Sequence, residues 1–439
     1  MKNMRSGAIK RKAALSSALA IVLVAGFARA DVVSDWNAIA VDTAAASGAN
    51  PFAQGRYGAI VQLAVFEAVN SITHEYRPYL GTISSQSGAS PEAAVIEAAY
   101  RVLSFYFPAS LPTLNTDLAN SLAQIPDSQS KTDGIAVGDA AASALIALRA
   151  NDGSSPPQFK VPGPAVPGEW QATTSCPVVN GVVSGVAFNW QNVTPFGVPD
   201  AKAFLLPPPP ALTSNRYSRT YNEVMTVGGI NSTERPQHRA DVATFFAITS
   251  PTQAFNQVAR QVAQQRDGSL TENARALALM NMAINDSLVA SFFNKYHYNF
   301  WRPETAIHAG DTDGNRKTEA DPNYRPFITT PCFPSYPSNH GSATSAAAEV
   351  LRRIYGEAGH TITLSNVATP NITLQYTSFR QITDDVSDAR VYGGIHFRTD
   401  QDAGAELGTA LGTVIYKHNL RRTDHDDDED DDGRCEKER

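Results

Sequence analysis

Cysteine is scarce in this chain, with three in 439 residues, at Cys176, Cys332 and Cys435. No spacing among them resembles a zinc site, and three thiols cannot build the disulfide framework that small secreted domains use in place of a core. Charged residues make up 18% and the balance is negative, 36 Lys and Arg against 43 Asp and Glu. The basic footprint that nucleic acid or anionic lipid requires is therefore lacking, and no nucleic-acid partner is expected. Beyond residue 30 no apolar run approaches the roughly 20 residues that span a bilayer. What is present, 42% hydrophobic residues in a chain long enough for one large or two medium domains, is the composition of a soluble globular protein.

The two ends differ from the body. Lys2, Arg5, Lys10, Arg11 and Lys12 precede the largely apolar run Ala13 to Phe27, and Ala28-Arg29-Ala30 is a small-x-small cleavage pattern. Residues 1–30 read as a secretory signal cut before Asp31, the alternative being a membrane anchor. Cleavage removes six cations and takes the formal charge from −7 to −13. A secreted or periplasmic protein with no stable membrane association is expected. Export makes a Cys176–Cys332 disulfide permissible, although sequence cannot supply its geometry. Residues 421–439 form an acidic tail whose seven carboxylates, Asp426 to Asp432, repel one another and predict disorder.

Between the ends, apolar residues recur at helical spacing. Gly55 to Ile72, Pro91 to Tyr106 and Ser130 to Arg149 each carry one apolar face, and strand-like alternation is rare. Asn151 to Pro210 is a proline-rich excursion, of the length that packs over functional sites. Helical character resumes near Ser214 and continues, with interruptions, to about Tyr416. Ser269-Leu-Thr-Glu272 fits a capping box for a long helix that delivers Lys295 at its end, and a second helix is expected just after His340, stopped by Gly356 and Gly359. The predicted fold is all-α, two packed helical bundles over residues 31–213 and 214–420, with the functional site in the second.

Three clusters carry the chemistry: Lys295 to Arg302-Pro303, Pro337-Ser338-Asn339-His340, and Arg390 to His396 and Asp400. Lys295 and Arg302 are seven apart, two turns of an ideal helix, and bring a point charge and a planar fork. Ser338 and His340 stand at a helix start, where free amides favour an anion and a histidine can move a proton. His396 can bond a central atom through one ring nitrogen while Asp400, four residues on, orients the other. Arg390 adds a third cation. Each cluster alone also fits an ordinary role: a charged helix end, an N-cap serine, a surface His–Asp pair. Together they are the parts of a site that grips a tetrahedral oxyanion.

In order and spacing the clusters resemble the superfamily of type 2 phosphatidic acid phosphatases and vanadium-dependent haloperoxidases. Its pattern is Lys, six residues, Arg-Pro; then Pro-Ser-Gly-His; then Ser-Arg, five residues, His, three residues, Asp. Here Asn339 stands in place of the glycine and Ala389 in place of the serine. The stretches Val33-Ser-Asp-Trp36, Gly134 to Gly138, Arg149 to Gly153, Pro207 to Thr213 and Lys295 to Trp301 look like those of exported bacterial haloperoxidases.

That resemblance implies a vanadate cofactor bonded to His396. Its oxygens would be neutralised by Lys295, Arg302, Arg390, Ser338 and the Asn339 amide. His340 would take a proton from hydrogen peroxide, and halide would be oxidised to hypohalous acid that meets a small organic acceptor. Phe333 corresponds to the residue beside the halide site. Two alternatives stay open: an acid phosphatase in which His396 attacks phosphorus, and a non-catalytic phosphate- or vanadate-binding protein.

Overall fold

The computed structural model describes residues 31–266 and 268–423. The expected signal segment and the acidic run with Cys435 lie outside the described residues. The body is helical, as expected. The first half holds α1 (Val32–Ala46), α2 (Pro51–Thr73), α3 (Pro91–Tyr106), α4 (Leu111–Leu122) and α5 (Gln129–Leu148). The second half holds α6 (Asn215–Gly228), α7 (Gln237–Ile248), α8 (Pro251–Gln264), α9 (Leu270–Tyr298), α10 (Pro303–His308), α11 (Asn339–Tyr355), α12 (Phe379–Tyr392) and α13 (Arg398–His418). Strands among the described residues are confined to two antiparallel hairpins, β1 (Val178–Val179) with β2 (Val182–Val183), and β3 (Ala358–Ser365) with β4 (Thr373–Ser378). One of the interruptions expected in the helical run from Ser214 onward is thus this second hairpin. Gly359, read from sequence as a stop signal, lies at the register irregularity of β3 with φ +88°. Gly356 does end α11.

The capping box is formed in full: the Glu272 amide donates to Ser269 Oγ at 3.2 Å and the Ser269 amide donates to Glu272 Oε2 at 3.0 Å. From there α9 runs 29 residues through the middle of the molecule, buried on nearly every side. It is the one described helix long and apolar enough to cross a membrane, and here it is a core helix. α2, α8, α11 and α13 pack against it. Because α2 from the first half lies along α9 from the second, the two halves share one core, and the chain from Asp31 onward is a single compact unit. Arg421 to Thr423, expected in the tail, belong to this body: the Arg77 amide donates to the Arg421 carbonyl at 2.7 Å and the Thr423 amide to Glu75 O at 3.2 Å.

The proline-rich excursion is strapped to α9 by side chains of the helix itself. Buried Asp286 accepts the amides of Phe196, Gly197 and Val198 at 2.7, 2.6 and 3.2 Å. Two turns beyond, Asn294 accepts the Leu206 amide at 2.9 Å and donates to the Phe204 carbonyl at 3.1 Å. The Cys176–Cys332 disulfide then ties the excursion to the segment that approaches Ser338.

The starts of α11 and α13 must meet closely, and glycine permits it. A Cβ on Gly408 would sit 2.1 Å from the Ser342 carbonyl, and one on Gly404 2.7 Å from that of Ser338. Gly408→Val should therefore lower stability by about 1–3 kcal/mol or more, read as a reduced urea midpoint. Elsewhere in the fold, buried Asp152 accepts from Arg56 Nε at 2.7 Å and Arg149 Nε at 3.2 Å. Burial opposes its ionisation, but the hydrogen bond and charge of Arg56, helped by Arg149, hold its carboxyl below the ordinary value. A depressed acid contributes stability that is complete above its unfolded pKa of about 3.9 and is lost as pH falls through the folded value. Asp152→Asn should flatten that acid limb, measured as urea midpoints between pH 6 and pH 3.

Candidate oxyanion site

The segment Pro331-Cys-Phe-Pro-Ser-Tyr-Pro337 explains how cations come to be buried here. Three of its seven residues lack an amide hydrogen, so it can complete neither a helix nor a ladder and is left with carbonyls in excess. Lysine and arginine carry only donors. Lys295, fully buried one turn before the end of α9, gives its Nζ to the carbonyls of Pro334 at 2.9 Å, Ser335 at 2.8 Å and Pro337 at 2.5 Å. α9 then stops at Tyr298, with Asn299 left-handed at φ 48°. Arg302 is therefore not on that helix, contrary to the two-turn spacing argument; it follows the break and precedes α10. Its side chain still turns inward beside Lys295. Nε donates to the Phe333 carbonyl at 2.8 Å and Nη1 to the Ile395 carbonyl at 2.9 Å, and Nη1 also meets His396 Nε2 at 2.9 Å.

That last contact fixes a tautomer. An arginine cannot accept, so His396 Nε2 carries the lone pair and Nδ1 carries the hydrogen. Nδ1 donates to Asp400 Oδ2 at 2.9 Å. The pairing predicted at four residues' distance is present, but His396 precedes α13 and Asp400 lies in its first turn, so the approach to the helix and not its repeat makes the contact. The same carboxylate oxygen accepts Ser335 Oγ at 2.6 Å and the Phe397 amide at 3.1 Å. Ser335 was not singled out in the sequence; the signal available was a lone serine among the prolines of that segment.

α11 begins at Asn339 with Ser338 as its N-cap, accepting the Gly341 amide at 3.1 Å. This is the ordinary capping role, and it leaves the serine's own proton available. Asn339 takes helical φ and ψ without strain, and its Oδ1 accepts Ser291 Oγ of α9 at 2.7 Å. The Ser338 amide donates to the Asp400 carbonyl at 2.9 Å, joining the α11 and α13 starts. Arg390, from α12, donates through Nη1 to the Phe246 carbonyl at 2.9 Å. Phe333 lies over the cations, its ring centroid 5.1 Å from the Arg302 guanidinium carbon and 5.3 Å from Lys295 Nζ. Trp301 is in the core, stacked on Tyr217, and does not wall the site.

Asn339, His340, Arg390 and His396 line a cavity of about 520 Å³, with Phe333 in its wall. Three cations and one carboxylate leave a formal surplus of two positive charges in buried surroundings. Burial and mutual repulsion push Lys295 well below the ordinary lysine value. Burial lowers Arg302 to about 9 and Arg390 to about 10. Burial and the same cations drive both His340 and His396 well below the ordinary histidine value, so both are neutral at pH 7. Burial raises Asp400 to about 6 against the Ser335 hydrogen bond and the charges of Lys295 and Arg302. Two buried donors, Arg302 Nη2 and Arg390 Nε, have no partner among the described residues. Surplus charge, unpartnered guanidinium donors and a neutral imidazole with its lone pair free of a proton are together the donor set that fits a tetrahedral oxyanion.

Residues 275–425 match the family described as VCPO second helical-bundle domain. Over 180 residues, 34% of this chain, the sequence is 28% identical to a vanadium chloroperoxidase of Curvularia inaequalis; the match spans 29% of that protein's length. Among solved structures, the fold is similar to that described as the first bacterial vanadium-dependent iodoperoxidase, with a TM-score of 0.74 and 21% identity, covering 90% of this chain and 98% of that one. It is also similar to a bacterial vanadium-dependent chloroperoxidase in its holo form, with a TM-score of 0.67 and 17% identity over 84% of this chain and 92% of that one.

The geometry predicts binding behaviour independent of turnover. Inorganic vanadate, followed by calorimetry, should bind with a Kd raised about 10- to 100-fold by Ser335→Ala, which frees Asp400 and the ring it orients. Arg390→Ala should weaken it at least as much, because a charge as well as a donor is lost.

Proposed function

We propose that this chain, which carries the second helical-bundle domain of the vanadium chloroperoxidase family, is an exported vanadium-dependent haloperoxidase that oxidises halide with hydrogen peroxide to hypohalous acid. The observation that carries the reading is the neutral His396, its Nε2 lone pair held beside guanidinium donors in a buried site with surplus positive charge. A bound vanadate supplies a Lewis-acidic centre at which peroxide is activated. Everything else falls to the chain. His396 would hold the group through Nε2, the nitrogen that accepts from Arg302 in the protein alone, with Nδ1 fixed by Asp400 and Ser335. Arg302 and Arg390 would offer hydrogen bonds to its oxygens, and the Ser338 hydroxyl and the Asn339 amide would add two more.

Lys295 has a different part from the one its position in the motif implies. Its three protons go to the carbonyls of Pro334, Ser335 and Pro337. It therefore acts through its charge and by holding the segment that presents Phe333 and Ser335. His340, kept neutral and facing the cavity, accepts the proton of incoming peroxide. Phe333 covers the cations and limits water at the place where halide meets the oxidant.

Export is part of the same proposal. The Cys176–Cys332 disulfide is of the kind that persists in oxidising compartments. Mass spectrometry of the protein recovered outside the cytoplasm should give an N-terminus at Asp31.

Purified protein incubated with orthovanadate, then supplied with peroxide and bromide, should brominate a phenolic acceptor. His396→Ala should abolish the activity, and His340→Ala should lower kcat about 10²- to 10⁴-fold. Absence of vanadate-dependent halogenation from pH 4 to pH 8, with vanadate bound, would refute the assignment; phosphomonoester hydrolysis in the same preparation would replace it with the phosphatase reading.

A further inference from the structure

Peroxide and halide are small and hydrophilic, each comparable to a water that occupies about 30 Å³. The cavity above the oxyanion site is about 520 Å³ and so far exceeds what both require. Its volume falls in the range of roughly 300–1,000 Å³ typical of pockets for organic ligands. The lining is divided by polarity. At its oxyanion end stand Asn339, His340, Arg390 and His396, and Thr329 is the one other polar residue among the side chains that line it. The walls are apolar and rich in aromatic rings: Phe52 from the start of α2, Leu288 of α9, Ile248 at the end of α7, and Phe327, Ile328 and Phe333 from the segments leading to α11. Ile248 is 47% exposed at the mouth, a large apolar side chain that no packing requirement places there.

From this division we propose that the cavity binds one hydrophobic aromatic molecule carrying a hydroxyl, of phenol to naphthol size, and that halogen transfer takes place within it. The apolar ring lies against the phenylalanines, and the hydroxyl or its anion faces Arg390 and His340, where charge complementarity orients it. The inference rests on the haloperoxidase reading for its chemistry, but its binding part does not. In the transfer step, hypohalous acid made from peroxide and halide at the oxyanion end meets the ring: the carbon–halogen bond forms, the halogen–oxygen bond breaks, and the ring proton leaves with the hydroxide as water. Held in this way, the acceptor is halogenated before the acid escapes to solvent.

The mouth residues Ile248 and Ala247 are exposed and take no part in holding the oxyanion, so they can be changed without touching the reacting groups. Ile248→Asp places a negative charge where the aromatic enters, and Ala247→Trp narrows the same mouth without charge. In metal-free protein, 1-naphthol binding followed by calorimetry should weaken about tenfold in both variants. In vanadate-loaded protein, with bromide and peroxide, KM for 1-naphthol should rise by a similar factor. The bromination of taurine, a hydrophilic acceptor that reports hypobromous acid reaching solvent, should stay at the wild-type rate, and the thermal midpoint should not move. Equal naphthol bromination by wild type and both variants, without saturation in naphthol, would overturn the proposal by showing that the halogen is delivered in solution. Wild-type protein that brominates neither acceptor removes the haloperoxidase reading alone; naphthol binding weakened by both variants then still upholds the cavity as an aromatic site, and no naphthol binding overturns it.

Discussion

Burying three cations in one place is the constraint from which the rest of this structure follows. A charge in a low-dielectric interior is tolerated only when its donors are met, and Lys295, Arg302 and Arg390 together present more donors than one carboxylate can accept. The chain answers with backbone carbonyls. Those of Phe333, Pro334, Ser335 and Pro337 come from a single proline-rich segment, and those of Ile395 and Phe246 from two other parts of the fold. Carbonyls supply partial negative charge without supplying a counter-ion. They stabilise the cations in place and leave the net positive charge of the site intact. A cage of glutamates would have bound the cations more tightly and cancelled the field that draws in an anion.

A segment that turns four of its carbonyls onto buried cations cannot hold itself in that shape, and much of the surrounding architecture does so. The excursion between α5 and α6 lies over it, with the Cys176–Cys332 disulfide and the bond from Tyr336 Oη to the Pro207 carbonyl at 2.7 Å fastening the two together. α9 fastens the excursion in turn, through Asp286 and Asn294, and the same helix carries Lys295. The close approach of α11 to α13 at Gly404 and Gly408 sets Ser338 against the start of α13, where His396 and Asp400 stand. Elements from both halves of the sequence thus converge on one rigid constellation, the condition under which hydrogen-bond geometry can be kept to a fraction of an ångström.

What was legible in the sequence was local. The capping box at Ser269, the glycine stop at Gly356 and the helix beginning around Ser338 depend on neighbours within a turn, and such signals survive in one dimension. The three clusters were legible because each is short and their residue types belong to one kind of chemistry. The misreadings have a common cause as well. Lys295 and Arg302 were related by helical repeat, but Asn299 ends the helix between them in a left-handed conformation that asparagine tolerates and that no periodicity reveals. Ser335 and the inward carbonyls of its segment act across 31 to 65 residues of chain, the carbonyls through atoms that every residue possesses, so nothing local announces them. The β3–β4 hairpin went unnoticed because its alternation, buried at His360, Ile362 and Leu364, is only three steps long.

The two departures from the superfamily pattern bear on whether the site is still equipped for chemistry. A side chain in place of glycine at position 339 could have forced the backbone or filled the pocket. It does neither, because α11 already starts there with helical torsions and Ser291 on α9 takes up the amide oxygen at 2.7 Å. The asparagine thus adds a tie between the helix that carries Lys295 and the helix that carries His340, while its backbone amide remains in place to meet an oxyanion. At position 389 the alanine is fully buried in the apolar contact of α12 with the core. An alanine there leaves no donor or acceptor to be satisfied, whereas loss of Arg390 beside it would remove a charge. Neither departure touches the tautomer of His396, which is set by Arg302 on one nitrogen and Asp400 on the other. The feature that chemistry depends on is a neutral imidazole with an unprotonated Nε2 inside a cationic field, and it is the part of the site that these two changes leave alone.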